Sequence, residues 1–224
     1  MGFRQKIRHY IVQNFGFTNK EATQIILSGR LTVNGEVVTG NILFDETHEI
    51  YLDGTLLKPK TIYTYIAFYK PRGIETTHRK EIENNLLFHL PQSENLAFAG
   101  RLDKESEGLL ILTDDGKYIQ SLSEPHKEKE KEYLVKVNKV IDDEFIKKMG
   151  EGVDIVITKT KPCFVEKLSD DKFRIILTEG KNKQIRRMCK AFGYKVEELL
   201  RVRIDSIKLG DLKPGEYRTF EPVK

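Results

Sequence analysis

The sequence predicts an α+β chain in two parts: a small αα-plus-hairpin domain over residues 1–58, then a mostly antiparallel mixed-sheet domain over residues 59–224. Three observations carry this. In the opening residues, apolar side chains recur at helical spacing in two adjacent stretches. Through most of the remainder they fall in short runs bounded by Gly, Pro, Asn and Asp, the pattern of short strands joined by tight turns. Between the two regimes, Lys58-Pro59-Lys60 is a short polar break that reads as a linker. With 224 residues, 39% apolar and 32% charged, the chain can bury a core in each part beneath a heavily charged surface.

Residues 4–15 place Ile7, Ile11, Val12 and Phe15 on one side of a helix that Gly16 ends. Thr18 and Glu21 have the capping-box spacing and start a second helix, which buries Ala22, Ile25 and Ile26 and stops at Gly29. Leu31-Thr32-Val33, Asn34-Gly35 and Glu36-Val37-Val38 then spell a hairpin with a favoured two-residue turn. Short strand-like runs follow around residues 49–52 and 56–57. Beyond the linker, a buried strand over 65–69 runs into the turn Lys70-Pro71-Arg72-Gly73, and the polar stretch 75–85 reads as an exposed loop.

Leu96 to Ala99 and Leu109 to Leu112 are apolar runs that read as buried strands. They flank a charged loop with glycine at each end, Gly100 and Gly108, and Asp103 inside it between Arg101 and Lys104. Strands on both sides hold such a loop in place, and flanking cations keep a carboxylate ionised. On pattern alone, this is equally a solvated turn. Asp114-Asp115-Gly116 turns into a helix from Lys117, and the alternating charges of residues 126–132, including His126, read as a solvated segment before a strand over 133–137. A short helix over 142–149 and strands around 153–157, 163–167 and 173–178 continue the antiparallel pattern. Ile185, Met188, Cys189 and Phe192 then mark the buried face of a helix, so Arg186, Arg187 and Lys190 project elsewhere, near its N-terminus and a glycine loop. A phosphate or a protein carboxylate would both fit that basic end. The tail from Leu209 reads as a final hairpin or strand.

Two cysteines without paired spacing argue against a disulfide framework and a zinc cluster. No phosphate-binding Gly-Lys-Ser/Thr loop, dinucleotide glycine motif or calcium loop occurs, so neither cofactor nor metal is expected. No apolar run has the length of a membrane helix, and the opening residues lack a signal-peptide core, so cytoplasmic residence is expected. Residues 1–30 carry five basic side chains against Glu21 alone, and residues 180–203 carry eight against Glu197 and Glu198. Two basic blocks far apart in sequence point to two contacts with a polyanion, most simply nucleic acid. With no coiled-coil repeat and no large apolar stripe, a monomer is expected.

The opening module resembles the S4 RNA-binding domain, whose helix pair leads into Gly29-Arg30-Leu31-Thr32-Val33-Asn34-Gly35. That resemblance implies phosphate contacts by Arg4, Lys6, Arg8, Lys20 and Arg30, which position RNA without reading its sequence. Farther on, five ordered stretches resemble the RNA pseudouridine synthases. They are Lys70-Pro71-x-Gly73, Gly100-Arg101-Leu102-Asp103, the run from Gly108 to Gly116, Lys131-Glu132-Tyr133-Leu134-Val135, and Gly180-x-x-x-Gln184-Ile185-Arg186-Arg187-Met188. Within that family the chain is similar to the bacterial ribosomal branch with an S4 domain ahead of a pseudouridine synthase catalytic domain, and most to its large-subunit type F.

The resemblance implies isomerisation of a uridine in ribosomal RNA, of the large subunit (23S), to pseudouridine without cofactor or metal. Alternatives are a synthase acting on tRNA and a non-catalytic RNA-binding or ribosome-assembly factor. Carried over by motif, Asp103 is the catalytic carboxylate, whether it attacks the base or the sugar. Tyr133 lines the uracil pocket and takes part in proton removal. Arg186 pairs with the aspartate, and Arg101 enters the stack when the target nucleotide flips out, as the reaction requires. Lys181, Lys183, Arg187 and Lys190 would contact RNA, and alternation suggests Ile175 and Leu177 as apolar pocket walls.

Overall fold

The computed structural model describes residues 4–124, 128–155 and 158–222. The chain divides into two compact units, Met1–Tyr63 and Thr64–Lys224, with the division in a segment, residues 59–64, that has no regular structure. In the first unit, β1 (Gln5–Lys6) precedes helices α1 (Ile7–Phe15) and α2 (Asn19–Leu27). The first helix therefore starts three residues later than its periodicity suggests, because Gln5 and Lys6 pair with Phe44 and Leu43 of β4 (Leu43–Phe44). Ile7 and Ile11 are buried, whereas Phe15 at the helix end is 37% exposed. The capping box of α2 is complete: Glu21 N–H donates to Thr18 Oγ1, and Thr18 N–H donates to the Glu21 carboxylate.

Strands β2 (Leu31–Val33), β3 (Glu36–Val38), β5 (Ile50–Leu52) and β6 (Thr55–Lys58) make an antiparallel sheet in the order β3-β2-β5-β6. The β2–β3 turn requires left-handed backbone at both central positions, and Asn34 (φ 52°) and Gly35 (φ 83°) supply it. Ile7, Ile11, Ala22, Ile25, Ile26, Leu31 and Ile50 close the core between helices and sheet.

The second unit is built on one nine-stranded sheet. Its elements are β7 (Tyr65–Lys70), α3 (Leu86–His89), β8 (Ala97–Ala99), β9 (Glu107–Thr113), α4 (Gly116–Ser123), β10 (Lys131–Val137) and α5 (Asp143–Gly150). A small pair, β11 (Asp154–Ile155) and β12 (Thr158–Lys159), precedes β13 (Phe164–Lys167), β14 (Lys172–Leu177) and α6 (Gln184–Ala191). The chain ends through β15 (Val196–Ile204), β16 (Ile207–Lys208) and β17 (Tyr217–Thr219). The strand order is β13-β14-β10-β15-β9-β7-β17, with β8 also on β9 and β16 on β15. The tail thus ends as an edge strand along β7. Pairings are antiparallel except β15 with β9, which meet in parallel where Leu200 faces Glu107 and Arg201 faces Gly108.

The apolar run of β9 is explained by burial on both faces. Leu110 and Leu112 pack with Ile66, Phe68, Leu86 and Leu90, while Leu109 and Ile111 pack with Ala67, Ala99 and Leu122. A separate core of Phe145, Met149, Phe173, Ile185 and Met188 holds α5 and α6 on the other half of the sheet. The stretch 75–85 departs from the expected exposed loop: Thr76 and Asn85 are buried, and Asn85 caps α3 by accepting from Leu87 N–H. Residues 156–157 of the strand expected around 153–157, and His126, lie outside the described residues.

Candidate active site

Asp103 lies in the connection between β8 and β9, which pair with each other through Ala97–Thr113 and Ala99–Ile111. The loop is held from within by Ser106 N–H donating to Asp103 O at 3.0 Å. It is closed beneath by Gly108, whose φ of 108° and contact with Arg201 leave no room for a side chain: a Cβ there would collide with the Arg201 backbone. Only glycine combines that conformation with that approach.

A cleft of about 850 Å³ opens over the loop. Arg101, Asp103 and Lys104 of the loop, Tyr133 of β10 and Arg186 of α6 all line it, with Leu177, Ile185 and Leu199 as apolar walls. Three separated stretches, the β8–β9 connection, β10 and α6, thus deliver the residues expected to act together. Ile175 is not among them. It lies two residues before Leu177 on β14 and is fully buried in the core with Ile185 and Met188.

Arg186 is placed differently from a simple partner of Asp103. Its Nη2 donates to Glu105 O at 2.8 Å and to Ser106 Oγ at 3.2 Å, and its Nη1 donates to Val196 O at 3.3 Å. No ion pair between Arg186 and Asp103 occurs among the described residues. The guanidinium instead grips the loop backbone just after Asp103. Burial lowers the Arg186 pKa, while the nearby charge of Asp103 favours its cationic form. Arg101 is exposed on the cleft and bonds none of the described residues. Tyr133 is half-buried, opposite Ile175 on one neighbouring strand and Arg201 on the other.

Two buried cations below the loop stood outside the expected site. Arg201 is 1% exposed and donates from Nε to Leu109 O at 2.7 Å. Lys70 is fully buried and donates to Pro71 O at 2.9 Å and Ile74 O at 2.7 Å. Burial pushes Lys70 down to about 8, Arg201 adds to that, and the carboxylates of Glu107, Asp103 and Glu105 oppose it. The sequence signal for Arg201 was a lone arginine in the apolar strand Leu199-Leu200-Arg201-Val202. For Lys70 it was a lysine closing the buried run 65–69.

The wall formed by residues 179–184 is latched. Gln184 is buried, accepts from Lys181 N–H at 2.9 Å and donates to Glu179 at 2.8 Å. Burial alone would raise the Glu179 carboxyl; bonds from the Lys181 ammonium, Lys161 N–H and Gln184 outweigh it and hold Glu179 below its usual range. Lys181 is therefore occupied by Glu179 and by Lys159 O, and Arg187 by Asn182. Lys183, with left-handed backbone at the start of α6, and Lys190 are exposed. In the first unit, Arg4, Lys6 and Arg8 line a recess of about 620 Å³ with His9, Gln13, Asn19 and Asn41. Lys20 lies on a separate shallow surface with Leu27, and Arg30 is clamped by Asp53.

Comparison with known proteins places this arrangement. The family model described as RNA pseudouridylate synthase matches residues 64–191. A relative from Salmonella typhi, named "Dual-specificity RNA pseudouridine synthase RluF", is 37% identical over 222 residues, covering 95% of this chain and 74% of that protein. An "Uncharacterized RNA pseudouridine synthase" of Aquifex aeolicus is 37% identical over 98% of this chain and 94% of its own length. The solved structure titled "Crystal structure of pseudouridylate synthase" superposes with a TM-score of 0.68 at 30% identity, over 96% of each chain.

Proposed function

This chain belongs to the RNA pseudouridine synthase family, and on that premise we propose that it isomerises a specific uridine of large-subunit ribosomal RNA, with Asp103 as the catalytic residue. The observation that carries the assignment is the convergence of Arg101, Asp103, Tyr133 and Arg186 on one cleft with apolar walls. A stacked uridine cannot present its glycosidic bond to a side chain, so the target must flip into that cleft. Leu177, Ile185 and Leu199 offer a uracil ring an apolar environment, and Arg101, exposed on the cleft and bonded to none of the described residues, can take its place in the stack.

Pseudouridine is the C-glycoside isomer of uridine. The N1–C1′ bond breaks, the C5–C1′ bond forms, a proton leaves C5 and N1 gains one. Nothing is added overall, so one carboxylate suffices where glycoside hydrolysis employs two. Asp103 acts as nucleophile or as stabiliser of the charge that develops as the N-glycosidic bond opens. Tyr133, at the pocket wall, is positioned to assist removal of the C5 proton. Arg186 supports the loop that presents the carboxylate and adds a positive field beside it.

The first unit serves as an S4-like RNA-binding domain in this reading, with Arg4, Lys6 and Arg8 as its phosphate-contacting group. Its backbone order of two helices and a small sheet supports that role. Among the described residues no helix is long and apolar enough to cross a membrane, and we place the enzyme in the cytoplasm with its RNA.

Pseudouridine mapping of ribosomal RNA from cells carrying native or Asp103→Ala protein tests the assignment. One site is expected to disappear with the substitution. An unchanged map would overturn the assignment, and purified protein assayed on ribosomal RNA and tRNA separates the two substrate classes.

A further inference from the structure

We propose that Thr76 is a positioning residue for the reaction, clasping the backbone immediately before Asp103 so that the carboxylate is presented at a fixed depth in the cleft. The inference rests on the reading of Asp103 as the catalytic residue.

Thr76 lies just beyond the Lys70–Gly73 turn and is 7% exposed. Its hydroxyl donates to Leu102 O at 2.7 Å and accepts from Leu102 N–H at 3.2 Å. One side chain therefore satisfies both backbone polar groups of the residue before Asp103. On the other side of Asp103, Gly73 N–H donates to Lys104 O at 2.8 Å. The segment 73–76 thus brackets Asp103, bonding the residue before it and the residue after it. Leu102 is itself 5% exposed, so the groups that Thr76 satisfies cannot turn to water without dislodging a buried side chain.

The Asp103 carboxylate makes no ion pair or hydrogen bond with the described residues. Its placement depends on the backbone that carries it. Arg186 holds the loop after Asp103, through Glu105 O and Ser106 Oγ, and Thr76 holds it before. A catalytic group needs such support because small misplacements are costly to rate and cheap to binding. Phosphate contacts elsewhere on the RNA are unaffected by the Thr76 hydroxyl, so its loss should appear in kcat and leave KM unchanged.

The test compares Thr76→Val, which keeps the shape and loses the hydroxyl, with Thr76→Ser, which keeps the hydroxyl, in the full-length protein. Saturating and subsaturating kinetics on ribosomal RNA, RNA affinity and amide exchange are measured for each. Thr76→Val should lower kcat by about 10- to 100-fold, with KM and RNA affinity within about twofold of native. Thr76→Ser should stay within about threefold of native. Leu102 N–H should be protected from exchange in the native protein and in Thr76→Ser, and exposed in Thr76→Val.

Native kcat in Thr76→Val would overturn the inference, as would equal losses in the valine and serine variants, which would assign the effect to packing. An unprotected Leu102 amide in the native protein overturns it without any variant, so the inference stays testable even if Thr76→Val does not fold. Asp103→Asn run in parallel separates the two readings: if that variant retains native activity, the Asp103 assignment fails, whatever Thr76 does.

Discussion

The cleft of the second unit and the basic recess of the first are both lined by cations, and they are built differently. Beside and beneath the Asp103 loop three cations are tied to backbone, Arg186 to Glu105 O and Val196 O, Lys70 to Pro71 O and Ile74 O, Arg201 to Leu109 O, while Arg101 stays exposed. In the recess, Arg4, Lys6 and Arg8 are exposed on and beside a short helix, and among the described residues the Lys6 ammonium makes only a long 3.5 Å bond, to Asn41 O. The difference fits the two tasks proposed for them. Bond rearrangement needs atoms held to a fraction of an ångström, whereas attraction to phosphates needs charge density and tolerates side-chain motion.

Arg186→Gln tests the tied side of that contrast and should give the largest effect. Removing the guanidinium frees Glu105 O and Ser106 Oγ and should lower kcat by about 100-fold with modest change in RNA affinity. Steady-state kinetics beside equilibrium binding decide it. A loss confined to affinity would put Arg186 in the same class as the recess cations and break the distinction. The converse experiment replaces Arg4, Lys6 and Arg8 together by alanine. If each neutralises one phosphate, affinity falls and the slope of log affinity against log salt becomes shallower by about 2, while kcat at saturating RNA stays native. An unchanged salt slope would remove these residues from the RNA contact.

The smallest effect concerns Lys70. Burial holds it at about 8 in the folded protein, below its ordinary 10.5. Between those values the unfolded chain binds more protons than the folded one, so folding stability from this group rises with pH across that window. Below about pH 8 both states are protonated and the full cost of the buried charge is present. Lys70→Met abolishes this contribution. From about pH 7.5 to 9.5 native Tm should therefore rise relative to the variant by a few degrees, measured by calorimetry in matched buffers. A constant Tm difference would show that Lys70 does not titrate in this range.

Legibility in the sequence followed the range of the interactions involved. Thr18 and Glu21 announced a helix start because the capping box is closed within four residues, and Asn34-Gly35 announced a turn because left-handed backbone is a local demand. Ile185, Met188 and Cys189 marked their helix face for the same reason. Asp103, Tyr133 and Arg186 were singled out through the resemblance of ordered motifs, because the local pattern left the Asp103 loop equally a solvated turn, and it is the fold that brings the three to one cleft. Thr76 was missed: it lay in a polar stretch, and its burial depends on Leu102, far along the chain. Arg186 was expected opposite the Asp103 carboxylate and instead holds the carbonyl and hydroxyl of Glu105 and Ser106, a distinction no spacing encodes.

By itself the sequence determined the helices other than α3, the Asn34-Gly35 turn and the buried strand over residues 109–112. All of these depend on preferences of neighbouring residues or on the periodicity of one element. Tertiary structure alone decided that β15 lies parallel to β9, that Arg201 and Lys70 are buried below the loop, and that the backbone on each side of Asp103 is held by residues from distant segments. Those features arise when elements far apart in the chain are packed at van der Waals distance and buried polar groups must find partners there, and a linear pattern carries no record of which partner each will find.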